Sequence, residues 1–196
     1  MVGVIVFIKN PELGKVKTRL AASVGDEKAL EIYLKLTAHT RDVLSQLNDV
    51  RVYVYYSQTI NHEDDWSDHG FIKRLQKGKT LGDRMDFGFS EVLDECEKAI
   101  IIGSDCAQLQ ASHIEKAINV LKTTDLVLGP TFDGGYYLLG MRNLYNFVFE
   151  NIPWSTEVVY DMTIQKAEEH EVSHTSIDKL SDIDYIEDWE KYGLDK

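Results

Sequence analysis

Three stretches of the chain, VGVIVFI at residues 2–8, AIIIG at 99–103 and LVLG at 126–129, stay apolar for the length of a strand almost without interruption. A strand with one face in water alternates polar and apolar side chains; one that does not alternate must be covered on both faces. Such strands need helices above and below their sheet. Helical patterns do lie between them, from about Asp26 to Leu47, Leu81 to Cys96 and along SHIEKAINVLKTT. Asp26 is placed to cap the first of these helices, with Leu30, Tyr33, Leu34, Leu44 and Leu47 expected on its buried side. VRVYVYYS and FIKRLQ read as further strands, and DLVLGPT and GGYYLLGM as two strands flanking a glycine turn. A helix near residues 157–170, a strand VSHTSI and a short helix from about Tyr185 complete the pattern. Strands alternating with helices predict a three-layer α/β/α sandwich with a mostly parallel mixed sheet. No repeat, low-complexity tract or Pro/Gly/Ser linker divides the 196 residues, so residues 1–196 are expected to form one domain.

In open sheets of this kind, ligands bind beyond the carboxyl ends of the strands. Three loops should share that rim: KNPELGKVKTR after the first strand, SDC after KAIIIG, and PTFDGGYY after DLVLG. The first concentrates Lys9, Lys15, Lys17 and Arg19 around Gly14 in a chain of formal net charge −12. Cations gathered on an acidic protein, beside a glycine that lets the backbone approach a ligand, suit a small anion such as a phosphate. A solvated loop pairing with neighbouring acids is the plain alternative. The loop is neither a Walker A sequence nor a GxGxxG fingerprint. The overall negative charge argues against broad nucleic-acid binding.

Asp105, directly after a buried strand, is placed to hold Mg²⁺ or Mn²⁺ against phosphate oxygens, unless it only caps the next turn. In FDGGYY, an Asp-Gly hairpin turn requires no function, but Gly134 and Gly135 could leave room for a substrate. Tyr136 offers a ring face there, and Asp133 could bind hydroxyls or act as a base. The acidic run SDIDYIED reads either as helix capping or, through Asp184, as a second carboxylate opposite Asp105. Cys96 and Cys106 form no zinc or CxxC spacing and are expected to be reduced thiols. With no membrane-length apolar run and no cationic leader, a cytoplasmic location is expected.

Taken together, KNPELGKVKTRLA, QKGKTLGDRM, IIIGSDCAQL, LGPTFDGGYYLLGM, NIPWSTEVVYDMT and SDIDYIEDW resemble the nucleotide-diphospho-sugar transferase superfamily of GT-A fold. Within it the chain is most similar to the DUF2064 group, also called rSAM/selenodomain-associated transferase 1. Phospholactate and molybdenum-cofactor guanylyltransferases are more distant relatives. The resemblance implies that Gly14, Lys15, Lys17 and Arg19 form a nucleotide-phosphate loop and that Asp105 and Asp184 hold a divalent cation. It also implies that Leu81, Gly82 and Arg84 lie near the nucleotide, while FDGGYY and IPWST shape the acceptor side. Two departures stand out: Ala107 replaces the family's usual proline, and Tyr185 and Ile186 replace Thr-Pro.

The expectation is a metal-dependent transferase acting on a nucleotide or nucleotide-sugar, with Lys17, Arg19 and Asp133 as catalytic groups and an acceptor left unnamed. Glycosyl transfer is the first reading. Nucleotidyl transfer with release of pyrophosphate is the alternative, and a non-catalytic nucleotide-binding module is a third. Whether the chain acts alone or as a homodimer stays open.

Overall fold

The computed structural model describes residues 1–67 and 69–194. Its strands are β1 (Val2–Ile8), β2 (Val50–Tyr56), β3 (Ile72–Leu75), β4 (Lys98–Ile102), β5 (Leu126–Pro130), β6 (Tyr136–Met141) and β7 (His174–Ser176). The helices are α1 (Thr18–Val24), α2 (Asp26–Ser45), α3 (Leu81–Leu93), α4 (Ala111–Val120), α5 (Val159–Glu169) and α6 (Ile186–Tyr192). Among the described residues the strands form one sheet in the order β3-β2-β1-β4-β6-β5-β7. Only β6 runs against its neighbours, pairing antiparallel with both β4 and β5. The α/β class and the mostly parallel mixed sheet therefore agree with the sequence. The polar segment 58–70 is a loop holding one 3₁₀ turn, Asp65–Ser67, whose Trp66 is buried; Asp68 lies outside the described residues.

The uninterrupted apolar strands are covered as their composition requires. On one face, Val4, Val6, Ile100 and Ile102 pack with Val43 and Leu44 of α2 and Ile114 and Ala117 of α4. On the other, Ile5, Tyr53, Tyr55 and Ile101 meet Met85, Phe89 and Val92 of α3 and Ala167 of α5.

A third cluster lies at the carboxyl end of the sheet, and it is this one that places the site. Leu20 of α1, Ala29, Ile32 and Leu36 of α2, Ala107 after β4, and Ile183 and Trp189 near the end of the chain are all buried together. Each fully buried aliphatic side chain contributes about 1.5–3 kcal/mol. The cluster therefore fastens three loops from distant parts of the chain to one another. Ala107, at the position where the resemblance has proline, is buried in this cluster.

Two local readings are corrected. The sequence places Thr18 and Arg19 in the cationic loop and starts the first helix near Asp26, but Thr18–Val24 form α1, because Leu20 has the third cluster to pack against. In α2 the inward-facing residues are Ala29, Ile32, Tyr33, Leu36, Thr40, Val43 and Leu44. Leu34 instead stands exposed, and Leu30 and Leu47 are only half-buried. The buried stripe follows the helical spacing more faithfully than the leucines do.

Candidate functional site

β1 and β4 lie side by side, and the chain passes from β1 to β2 on one side but from β4 to β5 on the other, so the two connections run in opposite directions along the sheet. The crevice outside the carboxyl ends of two such strands is where open α/β sheets bind ligands. Here it is formed by the loops after β1 and β4.

The β1 loop is pinned from below. Tyr33 of α2 is buried, and its hydroxyl donates to the Lys9 carbonyl at 2.7 Å and accepts from the Lys9 amide at 2.8 Å. Asn10 ties the same loop to the end of β2, donating to the Thr59 carbonyl at 2.8 Å and accepting from the Gln58 amide at 3.0 Å. Gln76 joins in from the β3 side, donating to the carbonyls of Ile8 at 3.1 Å and Tyr55 at 2.9 Å. Sequence reading missed Asn10, Tyr33 and Gln76 in these roles, since single polar side chains bonding to distant backbone leave no local pattern.

The loop turns at Gly14, whose φ of 74° is readily reached by glycine alone. Lys17 then adopts φ 47° and ψ 45°, a left-handed conformation that is strained for a side-chain-bearing residue. That costs about 1–3 kcal/mol, well within what burial of Leu20 and its neighbours returns.

This conformation sends Lys17 inward. Its side chain is 4% exposed, and its ammonium lies 2.7 Å from Asp105 Oδ1 and 3.6 Å from Asp184 Oδ1. Arg19 donates to the other oxygen of Asp184, Oδ2, at 2.8 Å. The cations of the first loop and the carboxylates after β4 and before α6 thus share one crevice. The remaining loop cations divide differently: Lys15 pairs with Glu12 at 2.5 Å, and Lys9 is exposed.

Asp105 and Asp184 are held by backbone as well as charge. The Ile183 amide donates to the Asp105 carbonyl at 3.0 Å, the Ser181 amide to Gln108 Oε1 at 3.0 Å, and the Leu180 amide to the Pro130 carbonyl at 3.1 Å. The 180–184 segment is therefore laid across the ends of β4 and β5. Asp188 caps α6 by accepting from the amides of Asp184 and Tyr185 at 3.1 and 2.9 Å. This cap comes from within the helix, so it does not require Thr-Pro at 185–186. The two readings of the acidic run both apply, to different residues: capping for Asp188, the crevice for Asp184.

The Lys17 ammonium has a pKa above the ordinary lysine value. Burial, the largest influence, would lower it, but Asp105, Asp184 and Asp182 together more than offset that. Asp182 shows the reverse effect. Burial, then the neighbouring Asp105 carboxylate, push its pKa up to about 7 despite the pull of Lys17. By surface area Asp182 is only half-buried, yet its carboxyl is packed round by protein, and the carboxyl's surroundings govern its ionisation. The signal for Asp182 was present in SDID. In an extended segment alternate side chains share a side, so Asp182 and Asp184 face the crevice while Ile183 enters the third cluster.

A stability prediction follows for Asp182. Its folded pKa lies above the unfolded value near 3.9, so the folded state disfavours its ionised form. The penalty is nil below about pH 4, grows as pH rises, and is complete above about pH 7. Asp182→Asn should therefore match the parent below pH 4 and exceed it by about 1–2 kcal/mol above pH 7, discounted for residual solvent access. Urea unfolding across that range, with divalent cations chelated, measures the difference.

Asp133 lies on the rim beside this cluster, close enough to Asp182 to raise that group's pKa further. Its Oδ1 accepts from Thr131 Oγ1 at 2.5 Å and from the Gly135 amide at 3.2 Å. Gly134 does not open space for a ligand. A Cβ there would lie 1.9 Å from the Glu157 carbonyl oxygen, so the segment after IPWST fills that face. Tyr136 does not offer its ring to the crevice either; it packs with the α3 and α5 side of the core. Both outcomes arise because β6 is the reversed strand, and the turn before it is pressed onto α5.

Farther along the rim, Thr80 and Asp83 form a reciprocal cap at the start of α3. Leu81 there is exposed, Gly82 packs against Trp154, and Arg84 donates to the Gly78 carbonyl at 3.2 Å. Cys96 and Cys106 are buried free thiols, and burial pushes Cys106 up to about 12. No described helix is long and apolar enough to cross a membrane.

This sheet, with its reversed sixth strand and its crevice at the β1/β4 junction, defines the nucleotide-diphospho-sugar transferase fold. The chain superposes with a TM-score of 0.86 on a provisionally named nucleotide-diphospho-sugar transferase from Desulfovibrio desulfuricans G20. The two are 29% identical, with 94% of this chain and 83% of that one covered. Within the fold, the chain belongs to the family described as "Uncharacterized protein conserved in bacteria (DUF2064)", whose family model matches residues 40–156. It is also similar to 2-phospho-L-lactate guanylyltransferases of two archaea. Against that of Methanocaldococcus vulcanius it is 26% identical over 148 residues, 74% of this chain and 65% of that protein. Against that of Methanocaldococcus jannaschii it is 22% identical over 143 residues, 70% of this chain and 59% of that protein. The match thus spans less than two thirds of the length of these relatives.

Proposed function

We propose that the chain is a nucleotidyltransferase that joins the nucleoside monophosphate part of a nucleoside triphosphate to a phosphorylated small molecule and releases pyrophosphate. The observation carrying this reading is the meeting of Lys17 and Arg19 with Asp105 and Asp184 at the β1/β4 crevice. Its likeness to proteins named guanylyltransferases supports nucleotidyl transfer over glycosyl transfer, the reading expected first from the sequence.

Asp105 and Asp184 fit a hard divalent cation. Both are oxygen ligands, both retain solvent access, at 43% and 34%, and one ammonium already reaches both. Among the described residues no group of three or more ligating side chains gathers. Two carboxylates are enough where phosphate oxygens and water complete the coordination. Mg²⁺ or Mn²⁺ held there would polarise the phosphate oxygens as a Lewis acid.

The chain's own groups supply the rest. Lys17 and Arg19 offset the negative charge that gathers on the departing pyrophosphate as its bond to the α-phosphorus breaks. Lys9, Gly14 and Lys15 extend the loop toward the same anion, while Leu81, Gly82 and Arg84 border the nucleotide farther along the rim. Asp133, with Gly134 and Gly135 shaping its turn, faces the acceptor. A phosphate nucleophile is already ionised and needs no base, so Asp133 serves to orient it rather than to remove a proton.

Incubation with each nucleoside triphosphate, Mg²⁺ or Mn²⁺ and a set of phosphorylated acceptors should release pyrophosphate only when an acceptor is present. Turnover of a sugar nucleotide with no use of triphosphate would replace this reading with glycosyl transfer. Nucleotide binding with neither turnover would leave a non-catalytic module. Asp105→Asn keeps the shape but removes the charge, and should slow pyrophosphate release by about 10²–10³-fold. Steady-state kinetics with saturating metal gives that number.

A further inference from the structure

We infer that Lys17 gates the metal site: its ammonium holds the place between Asp105 and Asp184 until nucleotide phosphate draws it out, so metal and nucleotide enter together. The inference rests on the nucleotide-binding reading above and adds an order to it.

Four observations point the same way. The ammonium stands 2.7 Å from one carboxylate oxygen and 3.6 Å from the other, at the point from which a cation would engage both. The side chain is 4% exposed, so it is aimed into the crevice and not lying across its mouth. The nitrogen is buried, and the carboxylates of Asp105 and Asp184 are what hold it there. The strained backbone at Lys17 serves to direct it inward.

An ammonium and a divalent cation on these oxygens repel each other, most strongly on the buried side of the carboxylates where Lys17 lies. Metal arriving alone would have to expel Lys17 with nothing to compensate the displaced charge. A triphosphate supplies that compensation, since lysine is a flexible point charge able to follow phosphate oxygens outward. Arg19 remains on the second oxygen of Asp184 and keeps that carboxylate oriented. By linkage, nucleotide must tighten metal binding by the same factor that metal tightens nucleotide binding.

The test is Mn²⁺ titration followed by the electron paramagnetic resonance of the free ion. It uses the full chain, Lys17→Met and Lys17→Gln, each with and without an α,β-methylene triphosphate analogue. Without nucleotide, both variants should bind Mn²⁺ at least about tenfold more tightly than the parent. The analogue should strengthen Mn²⁺ binding by the parent far more than by the variants. If a variant is unfolded at the assay temperature, Mn²⁺ should raise its Tm by more than it raises the parent's. Equal or weaker Mn²⁺ affinity in the variants, no binding by any of the three proteins, or an equal Tm response would overturn the gate. The nucleotide-free comparison does not depend on turnover. A chain that binds metal as described but releases no pyrophosphate would therefore lose the proposed reaction and keep the gate.

Discussion

Lys17→Met should lose about 3 kcal/mol of stability with divalent cations chelated, and at least about 10²-fold in pyrophosphate release under saturating metal. The side chain is not a surface lysine that happens to meet an acid. It is the buried positive centre facing Asp105, Asp182 and Asp184, and methionine would fill its volume without its charge. Removing one partner of a buried ion pair costs about 3–5 kcal/mol because the other charge is left uncompensated. The low end applies here, since Asp105 and Asp184 each keep part of their surface in water. Part of the loss will be relieved by protonation of Asp182, whose pKa is already raised. The deficit should therefore be smaller at pH 6 than at pH 8. Urea denaturation at the two pH values measures the stability effect, and pyrophosphate release under saturating metal measures the catalytic one. A loss of stability that did not change between them would separate Asp182 from Lys17.

Gly134→Ala should be the most damaging single methyl group that can be added near the crevice, costing about 4 kcal/mol or more. Two independent causes combine. The backbone there has φ 89°, where a side chain is strained, and the new Cβ would lie 1.9 Å from the Glu157 carbonyl oxygen. Neither cause can be relieved by rotating a side chain, since the obstacle is backbone. The Tyr160 amide donates to the Gly134 carbonyl at 2.9 Å, so any shift also breaks the join between this turn and α5. Gly135→Ala is the control. Its Cβ would meet Thr131 Oγ1 at 3.1 Å, which a shift of a few tenths of an ångström relieves, and its φ is not in the left-handed range. It should cost about 1 kcal/mol. Paired urea melts of the two variants check the contrast; similar losses would mean that the approach of the Glu157 backbone does not set Gly134 apart from Gly135.

Much of the architecture was legible because burial writes itself into composition. The runs at 2–8, 98–102 and 126–130 are apolar because both of their faces are covered, and the expected strands fall there. Helix α3 begins at the expected Leu81, although it ends at Leu93 and not at Cys96. That the loops after β1 and β4 share one rim followed from a topological rule about where strands end, whereas Asp184 was expected beside Asp105 from the acidic run and the family resemblance. What escaped were features that depend on a distant partner. Helix α1 is seven residues long and too short to hold itself without the third cluster. Leu34 looked buried because it is leucine, but it faces outward because of where α2 docks. Gly134 looked like open space, and only the path of residues 154–158 shows that it is contact.

By its residues alone, then, the chain determined a covered parallel sheet, the order of its elements, and a cationic loop set at the rim beside carboxylates. These are properties of local pattern, where periodicity and apolar content report how each segment meets water. The depth of Lys17, the shared crevice of Asp105, Asp182 and Asp184, and the packing of Gly134 against Glu157 were decided only in three dimensions. Each joins residues tens to more than a hundred and sixty positions apart, as with the bond from Arg19 to Asp184. The crevice contacts arise where the third apolar cluster closes and the Gly134 contact where α5 meets the turn before β6, and no local pattern records which segments will be brought together.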